Sequence, residues 1–192
     1  MHRRLYQWVI GLAEHPKALW ALALIAFVES SVFPIPPDVL MIPMIIARPS
    51  RAFVIAGVAL AASVLGGILG YAIGAFFFDQ VGQPVLAFYG KTDSFDVFAA
   101  RYNEWGAWAV LIAGVTPFPY KVITIVSGVT HLNFTVFMIA SVIARGLRFF
   151  VVAALLWKFG APIRDLIERR LGLMFTLFVV ILAAGFYVVK YL

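Results

Sequence analysis

The chain has 192 residues, of which 64% are hydrophobic and only 12% charged, and its mean hydropathy is +1.00. A soluble domain carries about 45–50% apolar and about 25% charged residues, so this chain cannot cover its own core with polar surface in water. Its net charge of +6 is scattered between hydrophobic runs, which argues against a nucleic-acid stripe and for topology determinants and contact with anionic lipid.

In chain order, residues 1–17 open with Met1-His2-Arg3-Arg4 and a run, Leu5 to Leu12, too short to span. With Tyr6 and Trp8 it reads as an interfacial helix, and no cleavage pattern of a secretory signal follows. Residues 18–51 are apolar from Ala18 to Ala47 except for Glu29 and Asp38, and are interrupted by Pro34, Pro36, Pro37 and Pro43. Residues 52–78 carry no charge and are long enough to cross. Residues 79–104 form a mixed polar connection. Residues 105–133 are a second broken segment, interrupted at Thr116-Pro117-Phe118-Pro119-Tyr120-Lys121. Residues 134–157 are a spanning length that contains Arg145 and Arg148, and residues 171–189 are a final uncharged span.

Proline inside a helix removes a hydrogen bond and clashes with the preceding turn, at a cost of about 3 kcal/mol or more. Each Pro-x-Pro should therefore end one half-helix and start another, and both broken segments read as re-entrant hairpins, with kinked continuous helices as the alternative. Shifting the chain by 83 positions lays Pro34-Ile35-Pro36 on Pro117-Phe118-Pro119 and Asp38 on Lys121. Paired, Pro-interrupted segments in two halves point to a transporter binding site. With a cytoplasmic N-terminus and hairpins that return to their own sides, nine basic residues lie inside, three outside and three within the membrane, accounting for all 15. That partition obeys the positive-inside rule and inverts one hairpin relative to the other. The expected fold is thus an all-α integral membrane bundle with two oppositely facing hairpins related as an inverted repeat.

Five charges fall inside the membrane: Glu29, Asp38, Lys121, Arg145 and Arg148. Such residues cost about 2.5–3.5 kcal/mol each on insertion scales and usually pair or line a polar cavity. Two acids against three bases leave one positive charge over, a seat for an anion such as phosphate. Asp38 suits the first turn of a half-helix, where an acid also serves as a cap. Lys121 takes the matching place, where the dipole disfavours a cation and a bound anion would favour it. Arg145 and Arg148 share one helix face and either fork onto phosphate or carboxylate oxygens or pair with Glu29 and Asp38. Glu29 and Asp38 are candidates for proton coupling or for charge pairing. Gly66, Gly70 and Gly74 form a small-residue seam for close helix approach; no Lys-Ser or Lys-Thr follows to make it a phosphate loop. Ser30, Ser31, Thr116, Ser127 and Ser141 are expected to satisfy helix backbone. No metal site, cofactor or enzymatic activity is expected, because His2, His15 and His131 are scattered and no base is placed to activate a nucleophile.

The run Glu29-Ser-Ser-Val-Phe-Pro34-Ile-Pro36-Pro37-Asp38, then Gly114-Val-Thr-Pro117-Phe-Pro119-Tyr-Lys121 with Ser127-Gly128, and later Arg145 and Arg148, resembles the motifs of the DedA family of VTT-domain membrane proteins, most closely its YqaA-like branch. The resemblance implies facing re-entrant hairpins, a bacterial inner-membrane location and lipid translocation. Its expected substrate is a phosphorylated lipid such as undecaprenyl phosphate, with coupling to the proton gradient. Glu29 and Asp38 match the family's essential acids, and Arg145 and Arg148 its basic positions. Typical members carry an arginine-rich stretch near the second proline break, where this chain has Lys121 alone. Membrane lipids with an anionic phosphate headgroup are the expected partners, nucleic acid is not, and a homo-oligomer is left open. The rival readings are a general phospholipid scramblase, a proton- or sodium-coupled carrier of a small solute, and a non-transporting membrane scaffold.

Overall fold

The computed structural model describes residues 17–33, 36–116, 118–160 and 162. The expected interfacial segment at residues 5–12, the span at 171–189, and Pro34 and Pro117 lie outside the described residues.

Every regular element among the described residues is helical. Helix α1 (Ala18–Ser31) and helix α2 (Asp38–Ala47) are 14 and 10 residues long, so they rise about 21 and about 15 Å. Each falls short of the hydrocarbon thickness of about 30 Å. Between them the chain leaves helical geometry around Pro36, and α2 restarts at Pro37, whose carbonyl accepts from the Leu40 and Met41 amides at 3.1 and 2.9 Å. Pro43 does not add a second break. It sits inside α2, where the missing N–H leaves only the Val39 carbonyl without its usual donor.

After the short turn Pro49–Arg51 comes α3 (Ala52–Phe77). Its helical run is longer than expected: Pro49–Phe88 forms 40 continuous residues. The run widens to a π turn at Phe78–Gly82 before α4 (Gln83–Phe88). Pro84 explains the widening, because it has no N–H for the Gln80 carbonyl and its ring crowds that carbonyl. Helix α5 (Thr92–Val115) passes without interruption through Glu104 and Trp105, where the polar connection was expected to give way to the second broken segment. Its charges, Asp93, Asp96, Arg101 and Glu104, lie in its first thirteen residues, and its last ten residues carry no charge.

The second break lies between Val115 and Tyr120, and α6 (Tyr120–Val129) is again ten residues long. It closes with His131 in the left-handed region at φ +52°. The Leu132 amide donates back to the Ser127 carbonyl and the His131 amide to that of Gly128, at 2.9 and 3.0 Å, the pattern that satisfies orphan carbonyls at a helix end. Asn133 then caps α7 (Phe134–Gly160), its Oδ1 accepting from the Thr135 and Val136 amides at 3.0 and 3.2 Å. The two halves share a rhythm: ten helical residues, four connecting residues, then a long apolar helix.

Helix α3 is the centre of the packing, with α1 and α6 both laid across it. The glycine seam permits this. A Cβ at Gly66 would sit 2.1 Å from the Phe27 carbonyl oxygen in α1, and one at Gly74 would sit 2.1 Å from that of Ile125 in α6. Gly70 lies between, beneath both Thr124 and Ser30. One apolar cluster joins α1, α2, α3 and α7 through Leu22, Met41, Ile45, Ala56 and Phe149; a second joins α5, α6 and α7 through Val110, Tyr120 and Phe137. Large apolar side chains such as Trp20, Phe76, Trp105 and Trp108 face outward, the arrangement expected where the surrounding solvent is lipid.

Candidate functional site

Helix α7 is where the singled-out charges meet. Its buried face repeats at Phe137, Ser141, Ala144, Arg145, Phe149 and Ala153, the three- and four-residue spacing of a helix stripe. Arg145 lies in this stripe and is 0% exposed. Its Nη2 donates to Glu29 Oε2 of α1 at 2.7 Å, and its Nε donates to Ser63 Oγ of α3 at 2.7 Å. Ser63 and Ser30 hydroxyls are 2.7 Å apart, and Ser30 Oγ also donates to Glu29 Oε2 at 3.1 Å. The guanidinium is sandwiched between the Tyr120 and Phe149 rings, 4.8 and 4.7 Å from their centroids. Cation–π contacts strengthen when desolvated, so three helices and two rings fix this cation.

One turn along, Arg148 bridges the two breaks. Its Nη2 donates to Asp38 Oδ2 at 2.5 Å, just past the first break, and its Nη1 donates to the Thr116 carbonyl at 3.0 Å, at the second. The side chains of this pair are 18% and 21% exposed. Lys121 makes the reciprocal contact: from the second break its Nζ donates to the Val32 carbonyl at the first, at 3.1 Å. Thr124 adds a buried link, its Oγ1 donating to the Ser30 carbonyl at 2.9 Å. The two breaks are thus tied to each other in both directions.

All five singled-out charges occupy this one region, and Glu29 and Asp38 are ion-paired with Arg145 and Arg148. Lys121 binds neither acid. It lies in the first turn of α6, where the helix dipole opposes it, but its side chain reaches the negative, C-terminal end of α1. Of the prolines, Pro36 and Pro37 flank the first break and Pro119 the second. Two side-chain atoms here are buried without a hydrogen-bond partner among the described residues, Asp38 Oδ1 and Arg145 Nη1.

Several participants were not recognised in the sequence. Ser63 had a signal: with Tyr71 it is one of two polar side chains between Ala52 and Phe78, and it lies three residues before Gly66 on the seam face. Tyr120 and Phe149, which stack on Arg145, had none, since they read as ordinary apolar positions. The hydroxyl expectations need correction. Ser31 bonds the Phe27 helix carbonyl at 2.9 Å, and Thr116 makes a long contact with the Ala113 carbonyl. Ser30, Ser127 and Ser141 instead bond the side chains of Glu29 and Ser63, Tyr102, and Tyr120. A buried charge and buried phenols compete for the same hydroxyls. No cluster of three metal-ligating side chains occurs among the described residues.

Long apolar helices around a largely buried set of charges have the build of a helical membrane protein. The chain belongs to the DedA family: the VTT domain, which defines that family, matches residues 35–158. That stretch contains Asp38, Lys121, Arg145 and Arg148. An uncharacterized protein of Haemophilus influenzae is 37% identical over 168 residues, covering 85% of this chain and 87% of that protein. A homologue from Histophilus somni, also uncharacterized, is similar to the same extent. No solved structure gives a significant match.

Proposed function

We propose that the protein moves a lipid with an anionic phosphate headgroup across the bacterial inner membrane, with its N-terminus in the cytoplasm, and that undecaprenyl phosphate is such a lipid. The observation that carries this reading is the double strap between the two breaks: Arg148 to Asp38 and Thr116, and Lys121 to Val32. Broken backbone is tolerated at membrane depth only against protein or a polar cavity, and here cations occupy the place where the broken ends meet. Lys121, Arg145 and Arg148 supply the positive charge. Glu29 and Asp38 compete for it, and their protonation frees the bases under a proton gradient. The shared rhythm of the halves supports an inverted repeat of two re-entrant hairpins, since α2 and α6 are too short to cross.

The test is transbilayer movement in proteoliposomes, comparing a polyprenyl phosphate with phosphatidylethanolamine, with and without a proton gradient. Faster movement of the polyprenyl phosphate, lost in Lys121→Ala, supports the reading. Equal movement of both lipids, indifferent to the mutation, makes the protein a general scramblase. Movement of neither removes lipid transport.

A second reading is favoured by the pairing itself. If the two ion pairs only tie helices together, the protein is a membrane scaffold, and neutralising Glu29 and Arg145 together restores whatever each single change removes.

A further inference from the structure

The three cations of this region are not equivalent. Arg145 is enclosed: a carboxylate, a hydroxyl and two aromatic faces surround it, and none of its surface is exposed. An anion could reach it only by dismantling contacts among α1, α3, α6 and α7. Lys121 and Arg148 differ in two respects. Both keep exposed surface, and both spend a donor on a backbone carbonyl, Val32 O for Lys121 and Thr116 O for Arg148. For a cation, a neutral carbonyl is a weaker partner than an anionic oxygen, because it offers a dipole and no net charge. These are the contacts an incoming anion displaces at least expense.

Building on the transport reading above, we infer that Lys121 and Arg148 together are the ligands of the phosphate group, which takes over the hydrogen bonds now made to Val32 O and Thr116 O, while Arg145 is a positioning residue. Arg148 Nη1 and Lys121 Nζ each bring one donor to the phosphate oxygens, the first from a guanidinium whose Nη2 stays on Asp38 and the second as a point charge. Arg145 acts from behind. It orients Tyr120, the residue preceding Lys121, through the ring contact, and it fixes the turn of α7 on which Arg148 stands. The ligand chemistry is a phosphate anion, and a lipid headgroup and free phosphate are its two possible sources.

The test is thermal stabilisation of the full chain in detergent micelles, titrated separately with a polyprenyl phosphate and with inorganic phosphate. A ligand that binds the folded state stabilises it by RT ln(1 + [L]/Kd), so the rise of melting temperature with concentration gives its half-saturating concentration. Loss of one charge-assisted hydrogen bond is expected to raise the half-saturating lipid concentration about ten-fold or more in Lys121→Cys and in Arg148→Gln. Because the natural chain has no cysteine, 2-aminoethyl methanethiosulfonate modifies residue 121 alone, restores an ammonium there and should return the wild-type titration. That rescue separates loss of a ligand from loss of folding. Stabilisation by the polyprenyl phosphate that is unchanged in both variants overturns the two-ligand assignment and leaves lipid transport standing. Equal stabilisation by inorganic phosphate alone, lost in both variants, upholds the assignment and overturns the lipid reading. Absence of stabilisation of the wild type by either compound overturns both.

Discussion

The first break and the second contain the same Pro-x-Pro spacing and are each followed by a ten-residue helix, yet they are held by different forces. At the first, Glu29 and Asp38 meet arginines of α7, charge against charge. At the second, Lys121 meets the Val32 carbonyl, and the Thr116 carbonyl meets Arg148, charge against dipole. A buried pair is expensive to separate, since each partner is left charged in a low-dielectric interior. A charge on a carbonyl near the surface exchanges readily. The first half is therefore the anchored side of the site and the second half the exchangeable side.

The sharpest way to break this contrast is at its most buried point. Arg145→Gln leaves Glu29 without its counter-charge and should destabilise the protein by about 3–5 kcal/mol, read by reversible unfolding in detergent. Glu29→Gln with Arg145→Gln should recover most of that loss; a double variant as unstable as the single would mean that the rings and Ser63, not the ion pair, hold α7.

The seam beneath both halves comes next. Gly66→Ala drives a methyl into the Phe27 carbonyl and Gly74→Ala one into that of Ile125, and overpacking of this kind costs about 1–3 kcal/mol. Gly66→Ala should loosen α1 and Gly74→Ala α6, and hydrogen exchange in the two segments distinguishes them. Equal loosening of both segments by either change would show that the halves move as one.

A smaller effect is expected for Ser63→Ala, which removes the hydroxyl between Arg145 and Ser30 at about 1–2 kcal/mol, whereas Ser63→Thr should retain it. Least of all, Lys121→Gln should change stability by less than about 1 kcal/mol, because its contact is exposed. If its melting point falls as far as that of Arg145→Gln, the second half is anchored too and the contrast between the breaks disappears.

Much of this was legible in the residues. Composition named the solvent, because an apolar chain with so few charges has nowhere else to put its surface. Proline chemistry marked both breaks, since a missing N–H acts locally; Pro43 and Pro84 are instead absorbed, where neighbouring turns keep the helical run together. The rarity of charge between apolar runs marked Glu29, Asp38, Lys121, Arg145 and Arg148, because a charge in a membrane has to be compensated.

Which residue compensates which could not be read in this way. That Glu29 pairs with Arg145 and Asp38 with Arg148, that Ser63 joins them, and that Lys121 turns to a carbonyl all depend on how α1 and α6 cross α3. Those crossings are set by backbone approach at Gly66, Gly70 and Gly74 over sequence separations of tens of residues. Local sequence thus determined what had to be buried and where the chain had to break. Only the tertiary structure decided the partners, because pairing is a property of distances between helices, and no residue carries that distance by itself.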